Sequence, residues 1–99
     1  MGKLVRDRIP EIIRAEGGDP QVRVLAEEEL LPALTAKLIE EAKEAHDADA
    51  DHLLEELADT REVLLAILAS RGWREEDLER AAGVKALERG GFTKGYWLD

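Results

Sequence analysis

The chain has 99 residues, 44% of them hydrophobic and 37% charged, with a formal net charge of −9 and no cysteine. This length makes one domain spanning residues 1–99 rather than two, and the apolar fraction excludes a disordered chain. Without thiols there is no disulfide framework, thiolate metal site or cysteine nucleophile, and the acidic balance opposes docking on a nucleic-acid polymer, where cations dominate affinity.

Charges interrupt the opening Met1-Gly2-Lys3-Leu4-Val5-Arg6-Asp7-Arg8, so no signal peptide is expected there. No run approaches the roughly 18 apolar residues of a membrane-spanning helix. A soluble, cytoplasmic protein without membrane contacts is the expectation. Pro10 suits the first turn of a short helix over residues 9–16, ended by the turn Gly17-Gly18-Asp19-Pro20. Residues 22–25, Val-Arg-Val-Leu, alternate and are β-branched, which fits a short strand or an extended arm. A long helix is predicted from about residue 27 to 48, with Pro32 tolerated near its beginning. The stretch Asp47-Ala48-Asp49-Ala50-Asp51 breaks it, and Asp49 or Asp51 is the expected N-cap of the next helix. That helix runs to Ser70 or Arg71 and stops at Gly72. A fourth helix covers residues 75–88 and is closed by Gly90-Gly91. Residues 92–98 read as an extended arm carrying Phe92, Tyr96 and Trp97. The sum is an all-α antiparallel bundle of about four helices, with arms at 22–25 and 92–98. Its small core and abundant apolar helix faces predict a homodimer or homotetramer.

The alternating aspartates at 47, 49 and 51 do not make a calcium loop. Such a loop needs Gly at its sixth position and Glu at its twelfth, and here those are His52 and Ala58. His46 and His52 flank this polar turn and are read as surface residues.

Charge is unevenly spread. Between residues 26 and 62 there are thirteen acidic residues and three basic ones, Lys37, Lys43 and Arg61, while Lys3, Arg6, Arg8, Lys85, Arg89 and Lys94 lie towards the ends. Within the acidic centre two stretches nearly repeat: Leu38-Ile39-Glu40-Glu41-Ala42-Lys43-Glu44-Ala45 and Leu53-Leu54-Glu55-Glu56-Leu57-Ala58-Asp59-Thr60. Glu41 and Glu44 are one helical turn apart, as are Glu56 and Asp59, and such pairs share a face with Cβ atoms roughly 5–6 Å apart. Two such helices packed face to face would bring four carboxylates together. A hard divalent cation such as Mg²⁺, held by carboxylates and substrate phosphates, requires such a set of oxygens.

An acidic stripe on a helix is ordinarily its wet face, but the wheel argues otherwise here. Leu34, Leu38, Glu41 and Ala45 follow the 4-3-4 spacing of a packed stripe, so Glu41 falls where a leucine is expected and Glu44 lies at the margin. Glu56, Asp59, Val63 and Ile67 are spaced 3-4-4, with the far end apolar. Leu54, Leu57, Leu64, Leu65 and Leu68 form a neighbouring, wider apolar face. Taking a carboxylate into an interior costs several kcal/mol. Two anions ~5 Å apart repel by about 3 kcal/mol at an effective dielectric near 20, against a total stability of ~5–15 kcal/mol. Lys37, one turn before Glu41, and Arg61 are candidates to neutralise one charge each. The remainder predicts a metal site open to solvent on one side.

With this pattern the chain resembles the all-α nucleoside triphosphate pyrophosphohydrolases, the MazG-like superfamily, marked by an E-x-x-E helix followed by an E-x-x-D helix. Here these are Glu41-x-x-Glu44 and Glu56-x-x-Asp59. The segment Lys3-Leu4-Val5-Arg6-Asp7-Arg8-Ile9-Pro10-Glu11-Ile12-Ile13 resembles the opening of a small MazG-like subgroup of house-cleaning enzymes, and Gly90-Gly91-Phe92-Thr93-Lys94-Gly95 resembles its ending. The resemblance implies an oligomeric helical fold and hydrolysis of a nucleoside triphosphate between the α- and β-phosphates, giving a nucleoside monophosphate and pyrophosphate. It implies Mg²⁺, with Mn²⁺ as the alternative, bound by Glu41, Glu44, Glu56 and Asp59. These are also the expected catalytic residues, one of them or its metal-bound water generating the nucleophile.

Lys3, Arg6, Arg8 and Lys94 are then expected to hold the polyphosphate, with Asp7 able to fix Arg6 or Arg8. Among Phe92, Tyr96 and Trp97, one is a candidate to stack a base, and at least two are expected to pack over the bundle. Glu40, Glu55 and Glu62 are read as solvated. There is no G-x-x-x-x-G-K-[ST] loop, and with Ser70 the only serine no Ser-His-Asp arrangement is indicated. Two other readings compete: phosphoribosyl-ATP pyrophosphohydrolase, a relative with similar acidic helices, and a non-catalytic acidic helical module for a basic partner. The basic N-terminal segment favours the first reading over phosphoribosyl-ATP cleavage.

Overall fold

Three glutamates in a row open the longest helix, where they complement the positive end of the helix dipole. In the computed structural model, which describes residues 2–99, this helix is α2 (Glu27–Asp47), preceded by α1 (Ile9–Ala15) and followed by α3 (Leu53–Ser70) and α4 (Glu75–Arg89). Among the described residues there is no strand, so the chain is all-α as its periodicity predicts. Among the described residues no helix is long and apolar enough to cross a membrane.

Side-chain caps set the helix starts. Glu29 Oε1 accepts the Ala26 backbone N–H at 2.9 Å, and Asp77 Oδ2 accepts that of Arg74 at 2.8 Å. Pro32 lies in the second turn of α2, where the missing N–H falls near the end of the hydrogen-bond ladder, and the helix continues through it. In the turn after α2, Asp49 Oδ1 accepts the His52 N–H at 3.1 Å and lies 2.7 Å from His52 Nδ1. The N-cap of α3 is thus His52, without a side-chain cap, and neither Asp49 nor Asp51 as expected; the Asp49 bond closes the turn that precedes the helix. Gly72, at φ +74°, ends α3: the Trp73 N–H reaches the Leu68 carbonyl and the Gly72 N–H the Ala69 carbonyl. This reversal needs a left-handed residue, which glycine supplies without a Cβ clash.

Only five residues separate α2 from α3, too few for anything but an antiparallel hairpin. This hairpin contains the core. Leu34 of α2 and Val63 and Leu68 of α3 are buried. Helix α4 touches α3 near their junction, where Arg61 Nη2 donates to Glu75 Oε1 at 2.7 Å. No residue of α1 or α4 is buried. Of the two forms expected for residues 22–25, the strand does not form and an arm without regular structure takes its place, with Val24 93% exposed. Instead Arg23 places one guanidinium nitrogen 3.2 Å from each Glu29 carboxylate oxygen, which pins this arm to the first turn of α2. Residues 92–98 also lack regular structure.

Burial on α3 differs between its two neighbouring faces. The stripe Glu56, Asp59, Val63, Ile67 faces inward and is partly or fully buried, as the wheel predicts. On the leucine face beside it, Leu68 is buried and Leu65 half-buried, but Leu54, Leu57 and Leu64 are exposed, Leu54 by 78%. One helix neighbour can cover only one stripe, and α2 covers the acidic one. The molecule is correspondingly open. A compact monomer of this mass exposes about 5,600 Å² and has a radius of gyration of about 13 Å. Here the accessible surface is 8936 Å² and the radius 17.0 Å, with extents of 51 × 34 × 23 Å.

Candidate metal centre

The hairpin brings Glu41 of α2 opposite Glu56 and Asp59 of α3. One carboxylate oxygen from each of the three lies within 4.8 Å of the others. Glu41 is 7% exposed and is the one buried charged residue among those described. It occupies the leucine position of its stripe, so the backbone turns it into the interface whatever the cost. Its Oε1 lies 3.4 Å from Lys37 Nζ, the neutralising contact that the sequence predicts one turn away. Its Oε2 has no hydrogen-bond partner, and neither has Glu56 Oε2, although both atoms are shielded from solvent. Buried carboxylate oxygens without a donor are rare, because each forfeits its hydration.

The electrostatics carry the same strain. Burial, then the nearby charge of Glu44 and more weakly that of Asp59, push the Glu41 carboxyl above the ordinary glutamate range, while Lys37 opposes the shift. For Lys37 burial acts against the charge, but hydrogen bonds and attraction from Glu40 and Glu41 outweigh it and raise its pKa. Asp59 has a partner from far away in sequence: Arg6 Nη2 donates to Asp59 Oδ1 at 2.6 Å across 53 residues.

Not every expected residue reaches this cluster. Glu44 acts on Glu41 through its charge but is exposed and stays outside the three-acid group, as its place at the stripe margin requires. Arg61 does not neutralise a site carboxylate, because it is drawn to Glu75 of α4. Among the four basic residues expected to hold phosphate, Arg6 alone pairs with a cluster acid. Arg8 bonds to Glu11 at 2.9 Å, Lys3 is exposed, and Lys94 Nζ sits 5.9 Å from the centre of the Tyr96 ring. Asp7 fixes neither arginine, since each has found another partner. The packing of the C-terminal aromatics over the bundle is also not seen: Phe92, Tyr96 and Trp97 are almost wholly exposed. Sequence reasoning missed the Arg6–Asp59 link because no local spacing encodes a contact between a loop and a helix so far apart.

Three converging carboxylates, two with shielded oxygens lacking partners, fit a hard divalent cation. Their 4.8 Å spread is close to the about 4.2 Å between opposite oxygens around Mg²⁺. Glu41, Glu56 and Asp59 would hold it, and the cation would supply the missing partner for Glu41 and Glu56.

Comparison with other proteins adds one relative. An uncharacterised protein of Mycolicibacterium smegmatis is 55% identical over 49 residues, which span half of this chain and half of that protein. No family model matches the chain, and no solved structure matches it.

Proposed function

We propose that this protein is a divalent-cation-dependent nucleotide pyrophosphohydrolase. The substrate is a nucleoside triphosphate, hydrolysed between its α- and β-phosphates to a nucleoside monophosphate and pyrophosphate. Removal of noncanonical or excess nucleotides is the role that fits such an activity. The carrying observation is Glu41: a carboxylate 7% exposed, with Oε2 unpartnered, facing Glu56 and Asp59. The choice of reaction rests on the resemblance of the E-x-x-E and E-x-x-D helices to the MazG-like enzymes.

In this reading Glu41, Glu56 and Asp59 hold Mg²⁺ or Mn²⁺ from within the hairpin, with Glu44 adding negative charge at the rim. When bound, such a cation neutralises phosphoryl oxygens and makes water more acidic. Water gives its oxygen to one phosphorus, the bridging P–O bond breaks, and pyrophosphate leaves. Lys37 holds Glu41 in place. The exposed basic residues Lys3, Arg6, Arg8 and Lys94 provide charge for the polyphosphate, Arg6 nearest to the acids. Phosphoryl transfer needs chiefly such positioning and charge stabilisation.

Self-association belongs to the same proposal. The surface in excess of a compact monomer is about 3,300 Å², of the size that obligate interfaces bury. A second copy, as a homodimer or within a homotetramer, covers the leucine face of α3. Light scattering at micromolar concentration is expected to give at least twice the 11.0 kDa chain mass, and a monomer would overturn this part.

The activity is tested with a nucleotide panel that includes phosphoribosyl-ATP, assayed for pyrophosphate with and without Mg²⁺. Cation-dependent release from a nucleoside triphosphate is expected. Preference for phosphoribosyl-ATP would replace the proposed substrate. No release from any nucleotide, with Glu41→Gln and Asp59→Asn behaving as wild type in every assay, would leave the non-catalytic module.

A further inference from the structure

Among the described residues the Arg6–Asp59 pair has no counterpart: a cation from an irregular N-terminal segment is bonded to a member of the acidic cluster at 2.6 Å. The bond uses one guanidinium nitrogen and one carboxylate oxygen, and both side chains are substantially exposed, Arg6 by 56% and Asp59 by 42%. An exposed pair of this kind changes an equilibrium by at most about fivefold, so a divalent cation approaching Asp59 overcomes it readily. Residues 2–6 belong to no helix, and the backbone bond at Arg6, its carbonyl accepting the Ile9 N–H at 3.1 Å, anchors the main chain and leaves the side chain free to change partner. A guanidinium released from a carboxylate has one other oxyanion of matching shape, phosphate, which it grips with two parallel hydrogen bonds.

The charges of the contacting groups favour the same exchange. Glu41, Glu56 and Asp59, with Glu40 on Lys37 and Glu44 beside Glu41, contribute five negative charges, and Lys37 and Arg6 contribute two positive ones. The balance is −3, which repels a polyphosphate. A divalent cation shifts it to −1, which removes most of that repulsion.

We infer that Arg6 and the divalent cation compete for Asp59, so that cation binding releases the Arg6 guanidinium to grip the phosphate groups of the ligand. This rests on the reading of the three acids as a cation site. It imposes an order in which the cation binds first and anion affinity follows. Arg6 is thus a residue with two partners, a carboxylate before the cation binds and a phosphate after.

The probes are Mg²⁺ alone and inorganic pyrophosphate, with the full chain and the variants Arg6→Gln, Asp59→Asn and the double variant. Arg6 is exposed and outside the helices, so Arg6→Gln is expected to keep the wild-type circular dichroism. Calorimetry should show Mg²⁺ binding two- to fivefold tighter in Arg6→Gln than in wild type, and no such gain when the same change is made on the Asp59→Asn background. At saturating Mg²⁺, pyrophosphate should bind at least tenfold more weakly to Arg6→Gln.

The direct readout is the Arg6 guanidinium resonance in ¹⁵N-arginine-labelled protein, assigned by its loss in Arg6→Gln. On Mg²⁺ addition it should move to the position it takes in metal-free Asp59→Asn. A resonance that stays in place while Mg²⁺ binds overturns the inference and leaves the cation site standing, as does unchanged pyrophosphate affinity in Arg6→Gln. Absence of any Mg²⁺ or Mn²⁺ uptake by wild type overturns both.

Discussion

Glu41, in the α2–α3 hairpin, is 7% exposed, whereas Phe92, beyond α4, is 99% exposed. Each inverts the usual ordering, an acid inside and a phenylalanine outside, but the inversions have different causes. In the hairpin, helical geometry fixes which side chains enter the interface, and Glu41 occupies a leucine's place in the stripe through Leu34 and Leu38. The consequence is two shielded oxygens without partners, a deficit that the proposed cation would remove. From Arg71 onwards every residue is exposed, including Trp73, Leu87, Phe92 and Trp97. Nothing among the described residues covers this surface, and the proposed second copy would. The two halves thus carry different deficits, unpaired buried acid oxygens in one and uncovered apolar side chains in the other.

The largest expected effect separates the hairpin acids from their neighbours. Glu41→Gln should lower nucleotide turnover at least a thousandfold, about 4 kcal/mol in the barrier, with circular dichroism unchanged. Glu44→Gln, outside the three-acid group, should lose no more than about tenfold, or roughly 1.4 kcal/mol. Equal losses at both positions would show that Glu44 swings inward when the site is loaded, and that four acids act rather than three.

Stability measurements set the two halves against each other. Leu34→Ala, at a buried position of the hairpin, should cost about 3 kcal/mol through lost burial and the cavity left behind, read as a lower urea midpoint. Leu87→Ala on α4 is 90% exposed in the single chain and should cost no more than about 0.5 kcal/mol if that face stays wet. A penalty at Leu87 approaching that at Leu34, and shrinking as protein is diluted to the monomer, would place α4 inside the self-association interface beside the leucine face of α3.

The pH dependence in chelator is smaller and has a definite sign. The Glu41 carboxyl is raised above its ordinary value by burial first and by Glu44 next. The native state therefore favours the protonated form. Its contribution to stability is fully present below the unfolded glutamate value of about 4.3 and is lost as pH rises through the higher folded value. The urea midpoint of wild type should decline across that window relative to Glu41→Gln, and Mg²⁺ should restore it at neutral pH. Parallel curves for the two proteins would mean that Glu41 reaches water in solution.

The parts of this molecule legible in its sequence are those governed by local periodicity. The four helices, the stop at Gly72, the contact of Lys37 with Glu41 and the inward stripe of Glu56, Asp59, Val63 and Ile67 all follow from spacings of three and four. What the spacing left open was set by tertiary competition. Leu54, Leu57 and Leu64 form the more apolar face of α3, yet the acidic stripe took the single available neighbour. Arg61 paired with Glu75 of α4 and not with a site carboxylate. Arg6 found Asp59, and Phe92 found no neighbour at all.

The smallest effect probes the arm at residues 22–25, which belongs to neither half. Arg23 and Glu29 hold one another on the surface. Hydrogen bonding to Arg23 first and to the Ala26 N–H next lowers the Glu29 carboxyl below its usual range, and the Glu29 bond raises Arg23. The sign is opposite to that of Glu41: this contribution is present above the unfolded glutamate value and is lost as pH falls through the lower folded one. The Arg23 side chain is 70% exposed and that of Glu29 42%, so solvent screens the pair, and Arg23→Ala should leave the urea midpoint of the hairpin unchanged within error. The change should appear instead as faster amide exchange at Val22, Val24 and Leu25, because the arm loses the contact that pins it while the helix keeps the Glu29–Ala26 cap. If Arg23→Ala lowered the midpoint as much as a core truncation does, the arm would have to be packed against a second copy, and the boundary between the wet and the covered surface would run through residues 22–25 as well as α4.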